Sequence, residues 1–417
     1  MSAETCPRCL TTTVTLDRAA PWCPRCEWNL DAFDQDRRAP ELGWRWVDRR
    51  LHRLAFRLAH GQYADLVKAD LAQRATLPRV VIGTVSVILL AVFLALVVGG
   101  VLLIARGFPS WWLVPGAVLL AVAWILRPRL GRLTDLDGDE ITRDDAPHLF
   151  ALLDEVATAV GTTTPPTVLV DHEVNAYTTT VGFRRRRVLC LGLPLWAVLE
   201  PQERVALLGH EFGHFVNGDG RRSMLAQPAL RMLGEAAMLI RPGYESPGGN
   251  VLVILAELAA RGVLHVLSNL LLLGQVVLLW IGLRDGQRAE YQADGIAARV
   301  GGSTATSTLM EIMAAGDVVH MLIRRDARVG LGPADWRSSV AGSGLRGGPR
   351  TAARLQLSVR DDASLFATHP PAGLRSRMLR ERTHLTPAVT LTPARAEKID
   401  AELSALQEAF RREATYA

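Results

Sequence analysis

Between Arg79 and Arg106 the chain carries no charge: Val80 to Ala105 is one long uncharged and mainly apolar run. As a helix rising about 1.5 Å per residue it is long enough to cross a hydrocarbon layer roughly 30 Å thick. Lipid cannot satisfy open backbone groups, so the run demands a spanning helix. A second run, Ser110 to Leu126, opens with the interfacial pair Trp111-Trp112 and stops at Arg127-Pro128-Arg129. The turn between them, Gly107-Phe108-Pro109, is short, and the two runs read as a transmembrane hairpin. Many arginines precede the first run and Arg127, Arg129 and Arg132 follow the second, whereas Arg106 stands alone at the turn. The excess of positive charge on the cytoplasmic side places both flanks of the hairpin in the cytoplasm.

The net charge of +5 is almost wholly arginine, since lysine occurs only at Lys68 and Lys398. These arginines crowd the first part of the chain and the edges of the apolar runs, where anionic lipid is the simplest partner; nucleic acid is not expected. Cys6-Pro7-Arg8-Cys9 and Cys23-Pro24-Arg25-Cys26 form two identical tetrads. The polar residues ahead of them do not read as a secretory signal, so Cys6, Cys9, Cys23 and Cys26 are expected to hold a structural zinc in a ribbon rather than pair as disulfides. Cys190, alone in Val188-Leu189-Cys190-Leu191, reads as a buried strand residue. After the ribbon, Trp44, Val47, Leu51, Leu54 and Leu58 recur at helical spacing among Arg45, Arg49, Arg50, Arg53 and Arg57. Such a helix either lies on a membrane surface or packs on the ribbon, and both readings stay open.

From residue 146 the pattern turns to a soluble α+β unit. The spacing predicts a helix from Pro147 to Val160 stopped by Gly161, and a strand over Thr167 to Val170. A hairpin follows, Asn175 to Val181 and Arg187 to Leu191, turning through Gly182 to Arg186. A further helix begins near Pro201 and carries Ala206-Leu207-Leu208-Gly209-His210-Glu211-Phe212-Gly213-His214. His210 and His214, at i and i+4, share one face, and Glu211 lies about 100° around the axis. Two histidines so placed can hold zinc while the glutamate takes the proton of an attacking water. Read alone, the stretch is also compatible with one core and one surface histidine. Zinc needs a third protein ligand, and Glu290, with Asp294 one turn on, is the candidate on a helix from Asp285 to Val300. Asp294 would orient a histidine ring. Read alone, the stretch favours two solvated carboxylates on a helix.

Together these residues resemble the membrane-embedded zinc metallopeptidases of the HtpX and CAAX-prenyl-protease group, over roughly residues 140 to 385. Asn175-Ala176-Tyr177 is similar to that family's substrate-pairing edge strand, and His210, Glu211 and His214 to its metal helix, followed by Asn217-Gly218-Asp219. Glu290 and Asp294 match its carboxylate pair. Thr368-His369-Pro370-Pro371 with Arg375 resembles its late motif, whose histidine and arginine are thought to steady the oxyanion. Departures are Ser376 where an apolar residue is usual, the added ribbon, and an arginine- and glycine-rich approach over residues 325–364, expected to be partly disordered.

Since His214 and Glu290 would share one metal, the chain between them crosses a bilayer an even number of times or not at all. Gly262 to Leu283 is long enough to span. Its partner would be Met224 to Ile240, interrupted by Arg231 and Glu235, with Tyr244 to Gly249 as outer turn. The resemblance also implies four spans. His265 and Asn269 would supply either a functional polar site or, more simply, a helix-helix hydrogen bond.

The expectation is an α+β, mainly α-helical, integral membrane zincin-like metallopeptidase with about four transmembrane helices. Its parts would be a zinc ribbon (1–36), a basic amphipathic linker (37–78), a hairpin (79–127), a first peptidase part (128–222), a membrane insertion (223–284) and a second peptidase part (285–417). It would be a multi-pass membrane protein with its N-terminus and catalytic domain cytoplasmic, one catalytic and one structural zinc, and polypeptide substrates, chiefly membrane proteins. The competing reading makes the ribbon a membrane-anchored binding module with an unidentified partner. A channel or transporter fits poorly, because the polar mass is large and the spans hold few paired charges.

Overall fold

The computed structural model describes residues 5–34, 43–68, 77–107, 110–243 and 250–416. The hairpin turn at 108–109, the outer turn at 244–249, and residues 1–4, 35–42 and 69–76 of the expected ribbon and linker lie outside the described residues. In chain order the elements are α1 (Arg45–Val67), α2 (Leu77–Gly107), α3 (Leu113–Ile125), β1 (Asp139–Ile141) and α4 (Pro147–Val160), followed by β2 (Thr167–Asp171), β3 (Ala176–Val181) and β4 (Arg186–Gly192). Helices α5 (Leu193–Val198), α6 (Pro201–Asn217), α7 (Asp219–Ile240) and α8 (Val251–Gly301) come next. The chain continues through α9 (Ser303–Met313), α10 (Gly316–Arg328), α11 (Pro333–Gly342) and α12 (Gly348–Asp361). It closes with α13 (Ala372–Glu381), α14 (Pro393–Glu402) and α15 (Ser404–Tyr416). Among the described residues the protein is mainly helical with one small sheet.

Contacts divide the chain into two units. One comprises residues 74–131 and 221–285. In it α2 exposes apolar side chains all round its axis, among them Val87, Ile88, Leu90, Val92 and Leu94, the signature of a helix whose solvent is lipid. Among the described residues, α2 and α8 are long and apolar enough to cross a membrane, and α3 is a shorter apolar helix. Helix α7 carries Arg231 and Glu235 and does not join them. Its Glu235 is ion-paired to Arg129 at 3.2 Å, and Arg79 reaches both carboxylate oxygens of Asp285 at 3.1 and 3.0 Å. The helix-helix hydrogen bond expected of His265 or Asn269 is made instead by Ser268, whose hydroxyl donates to the Ala237 carbonyl at 2.9 Å; His265 and Asn269 are exposed. The small hydroxyl reaches a neighbouring backbone that longer side chains overshoot.

The other unit comprises residues 1–73, 132–220 and 286–417. Its sheet has the order β1-β2-β4-β3, with β2 and β4 parallel and β3 and β4 antiparallel, so the hairpin ends in an edge strand. Cys190 is fully buried on β4, as its apolar neighbours required. Helix α4 stops at Gly161, and its apolar stripe (Leu149, Leu152, Leu153, Val156) packs with Val168, Leu189, Leu208 and Phe212 in one core.

Two expectations fail here. Residues 325–364 are ordered, as the end of α10 with α11 and α12, because their arginines find partners rather than solvent. Arg337 pairs with Asp400 at 2.9 Å, Arg346 with Glu203 at 2.7 Å, and buried Arg360 donates to three backbone carbonyls. In α1 the buried face is Asp48, His52, Ala55, Ala59, Tyr63 and Leu66, whereas Trp44 and Leu54 of the expected stripe are exposed. The helix does pack towards the ribbon, but through its small and aromatic residues.

Helix α6 meets the last four turns of α8 at unusually short range. A Cβ on Gly209 would sit 3.2 Å from the Ala297 Cα, and one on Gly213 would sit 3.1 Å from the Ala293 Cα. Glycines at i and i+4 face alanines at i and i+4, and backbones approach where side chains would hold them apart. This contact carries Glu290 up to the histidines. Gly213→Val should therefore lower unfolding stability by about 1–3 kcal/mol and reduce bound zinc by one atom per molecule, read by thermal denaturation and metal analysis.

Candidate metal centre

The metal helix is anchored before it is functional. Glu203 accepts from the Glu200 backbone N–H at 2.9 Å, closing a capping box behind Pro201. Arg204, fully buried, grips Asp400 at 2.8 and 3.1 Å. One and a half turns further on, His210 and His214 present their Nε2 atoms 3.2 Å apart. From α8, Glu290 brings Oε2 to 3.4 Å from His210 Nε2 and Oε1 to 3.4 Å from His214 Nε2. Donors held about 2.0–2.1 Å from a tetrahedral zinc ion stand about 3.4 Å from one another. The two imidazoles, each with one Glu290 oxygen at this spacing, lie close to the edge lengths of a zinc site, and the donor set of two imidazoles and a carboxylate fits that ion.

The rings are held by their other nitrogens. His210 Nδ1 lies 3.1 Å from Asp294 Oδ1, and His214 Nδ1 lies 2.6 Å from Asp219 Oδ2. Each carboxylate holds a proton on Nδ1, so that Nε2, the nitrogen turned towards Glu290, is the one a metal would take. Asp294 is where the sequence placed it. Asp219 was not singled out as a ring holder, although its signal was present: Gly218 ends α6 with φ 73°, and the reversal returns the next residue to the preceding turn. Thr178 on β3 donates to the Glu211 carbonyl at 3.2 Å, tying the edge strand to the metal helix. Ala176 and Tyr177 open that strand, and the Asn175 carbonyl accepts from Gly192 N–H at 2.9 Å.

The late motif arrives on and before α13. Its histidine and arginine are placed very differently. His369 is 62 % exposed, with Nδ1 2.9 Å from Glu290 Oε2. Arg375 is buried and forks onto Asp294 at 2.8 and 2.6 Å, with Nη1 3.3 Å from Glu290 Oε2. Ser376, the departure from the usual apolar residue, is fully buried and shares a 3.3 Å hydrogen bond with Ser307.

Electrostatically this is a carboxylate-rich, desolvated pocket. Burial disfavours charge on His210, yet hydrogen bonds with Asp294 and Glu290 outweigh it and push the imidazole up to about 10. Burial first, and then the positive charge of His210 and Arg375, pull His214 down against the pull of Glu290 and Glu211. Burial likewise opposes charge on Glu290, but Arg375 and the hydrogen bonds of His210 and His369 hold it well below the ordinary carboxylate range. Burial raises Glu211 above its usual value. The carboxylates that draw a proton onto His210 draw a divalent cation to the same place, so metal binding releases protons.

The four cysteines of the ribbon also converge. Their Sγ atoms lie within 4.8 Å of one another, with Cys6–Cys26 at 3.5 Å and Cys9–Cys23 at 3.4 Å. Zinc bound at about 2.3 Å by four thiolates sets them about 3.8 Å apart, so this donor set fits a structural zinc as well.

Replacing a ring-holding carboxylate should weaken zinc binding by about 10–100-fold. Asp294→Asn should cost more than Asp219→Asn, because Asp294 is fully buried and also anchors Arg375. Competitive zinc titration of the two variants reads that order directly.

The stretch that holds this cluster is similar to known proteins. The chain is 28 % identical to "Protease HtpX homolog 1" of Sulfurisphaera tokodaii over 170 residues, which is 38 % of this chain and 53 % of that protein. It is 26 % identical to "Protease HtpX homolog" of Bordetella avium over 54 % of this chain and 68 % of that protein. It is also 26 % identical to "Protease HtpX" of Cellvibrio japonicus over 55 % and 69 %. The chain thus spans about half the length of the first relative. No solved structure matches it significantly. The profile of peptidase family M48 matches residues 144–383, more than half of the chain and every residue of the cluster around His210; this protein belongs to peptidase family M48.

Proposed function

We propose that the protein is a zinc endopeptidase that works on polypeptides at the cytoplasmic face of a membrane. The observation that carries this reading is the convergence of His210 Nε2 and His214 Nε2, 3.2 Å apart, with the Glu290 carboxylate, one oxygen 3.4 Å from each, and with Glu211 buried one residue beyond His210. Zinc held there supplies Lewis acidity to a peptide carbonyl and to a water. The chain's own residues do the rest. An extended peptide adds to the open edge of β3 by main-chain hydrogen bonds, starting beside Asn175, Ala176 and Tyr177. Glu211 takes the proton of the attacking water and returns it to the leaving amine. His369, exposed on its outer side, is the group available to the charge that develops on the substrate oxygen. Arg375 supports that step from behind, because its guanidinium is committed to Asp294 and Glu290.

One zinc serves catalysis and one, on Cys6, Cys9, Cys23 and Cys26, serves structure. The apolar helices and the arginine-flanked hairpin support a multi-pass membrane location with the catalytic unit cytoplasmic; residues 224–240, less apolar, enter as part of a second pair of crossings because His214 and Glu290 must lie on one side of the bilayer. The relatives' names support cleavage of polypeptides, and the membrane location makes membrane proteins the substrates within reach, as a quality-control role would require.

Glu211→Gln should lower cleavage of an unfolded model polypeptide by about 10²–10⁴-fold while bound zinc per molecule stays unchanged. Cleavage at the wild-type rate would rule out the mechanism. A reporter fused after Gly248 should read as external; a cytoplasmic reading would remove the second pair of crossings.

A further inference from the structure

The sequence leaves the ribbon as an appendage of unknown partner, yet its contacts face inward. Trp22, with no exposed surface, and Leu16, Ala19 and Leu30 pack in one core with Ala59, Tyr63 and Leu66 of α1, Leu357 and Val359 of α12, and Leu374 and Met378 of α13. Tyr291, the neighbour of Glu290, belongs to the same core. Polar contacts lock the arrangement. Trp22 Nε1 donates to Gln356 Oε1 at 3.0 Å, and Gln356 Nε2 donates back to the Pro24 carbonyl at 2.8 Å. Arg360, 1 % exposed, donates to the carbonyls of Ala20 and Asn29 at 2.8 Å each and of Leu30 at 3.3 Å. These three carbonyls come together only in a folded ribbon, and a ribbon of this size folds on its metal.

We propose that the ribbon is a positioning element for the active site: its folded state fixes α12 and α13, and through them the placement of Arg375 against Asp294 and Glu290. The proposal rests on the peptidase reading. The path is short. Gly373 at the start of α13 packs so closely on α12 that a Cβ there would fall 1.9 Å from the Leu355 carbonyl oxygen, and its N–H donates to Ser358 Oγ at 2.9 Å. No slack separates the two helices, so a shift in α12 becomes a shift in α13. Along α13, Leu374 and Met378 face the ribbon core while Arg375, between them, reaches Asp294 and Glu290. Arg377 then turns back to bond Glu27 of the ribbon, whose carboxylate also lies 3.7 Å from His60 of α1. One helix therefore holds the active site with Arg375 and the ribbon with Arg377. Arg360, Gln356 and the Glu27–Arg377 pair act as positioning residues, none touching substrate.

The test uses the full-length protein in lipid nanodiscs, with three readouts: zinc per molecule, amide hydrogen exchange, and kcat and KM on an unfolded polypeptide. Cys9→Ser with Cys26→Ser should leave one zinc, speed exchange across Ala372–Glu381, and lower kcat by roughly ten- to a hundredfold with KM little changed. Glu27→Arg and Arg377→Glu, which leave every cysteine in place, should each keep both zincs and speed exchange and lower kcat more weakly, and the charge-swapped double variant should recover kcat. A one-zinc protein with unchanged exchange in α13 and unchanged kcat would overturn the proposal, as would a swap that recovers nothing. Exchange needs no substrate, so an inactive wild type would sink the peptidase reading while leaving the ribbon's role decided by exchange alone.

Discussion

Everything in the catalytic unit depends on how closely α6 and the end of α8 approach. Two glycines on one helix and two alanines on the other let the backbones meet, and only at that distance can a carboxylate on α8 share a donor triangle with two imidazoles on α6. The approach is bought with conformational entropy at two helical glycines, each about 1 kcal/mol less favourable than alanine. What offsets it is the apolar core that runs from α4 through Leu208 and Phe212 to Ile296 and Val300. Fold and metal site are therefore one problem: the packing that stabilises the unit is the packing that assembles the ligands.

Around that contact the site is built in layers of charge. Two imidazoles and Glu290 face inward, Asp294 and Asp219 hold the rings from outside, and Arg375 holds Asp294 in turn. A buried carboxylate without a partner is strongly destabilising, so each layer requires the next. That logic explains why Arg375 lies buried rather than at the mouth of the site, and why His369, which has no such obligation to Asp294, is left exposed. It also explains the ribbon's arginine contacts, since Arg360 satisfies its donors on carbonyls that a folded ribbon gathers.

Local pattern made much of this legible. The pitch of a helix alone places His210 and His214 on one face, and the alternation of the hairpin alone marks β3 and β4. The same reasoning erred where composition stood in for partners. Residues 325–364 look solvated because arginine and glycine are common there, but Arg337, Arg346 and Arg360 each meet oxygen atoms far along the chain. Helix α1 looks amphipathic through Trp44 and Leu54, yet it buries Ala59 and Tyr63, because the surface it meets has room for small and flat side chains.

The sequence by itself determined the short-range chemistry: a charge-free run long and apolar enough to cross a bilayer, paired cysteine tetrads, and a two-histidine helix with a glutamate between. These follow from chain connectivity and helix geometry, which need no partner. Tertiary structure decided which side each element turns inward, that Asp219 holds His214, that Arg375 holds Asp294, and that the ribbon faces the body of the catalytic unit. Those outcomes depend on which distant side chain fills a cavity or answers a buried charge, and no local spacing carries that information.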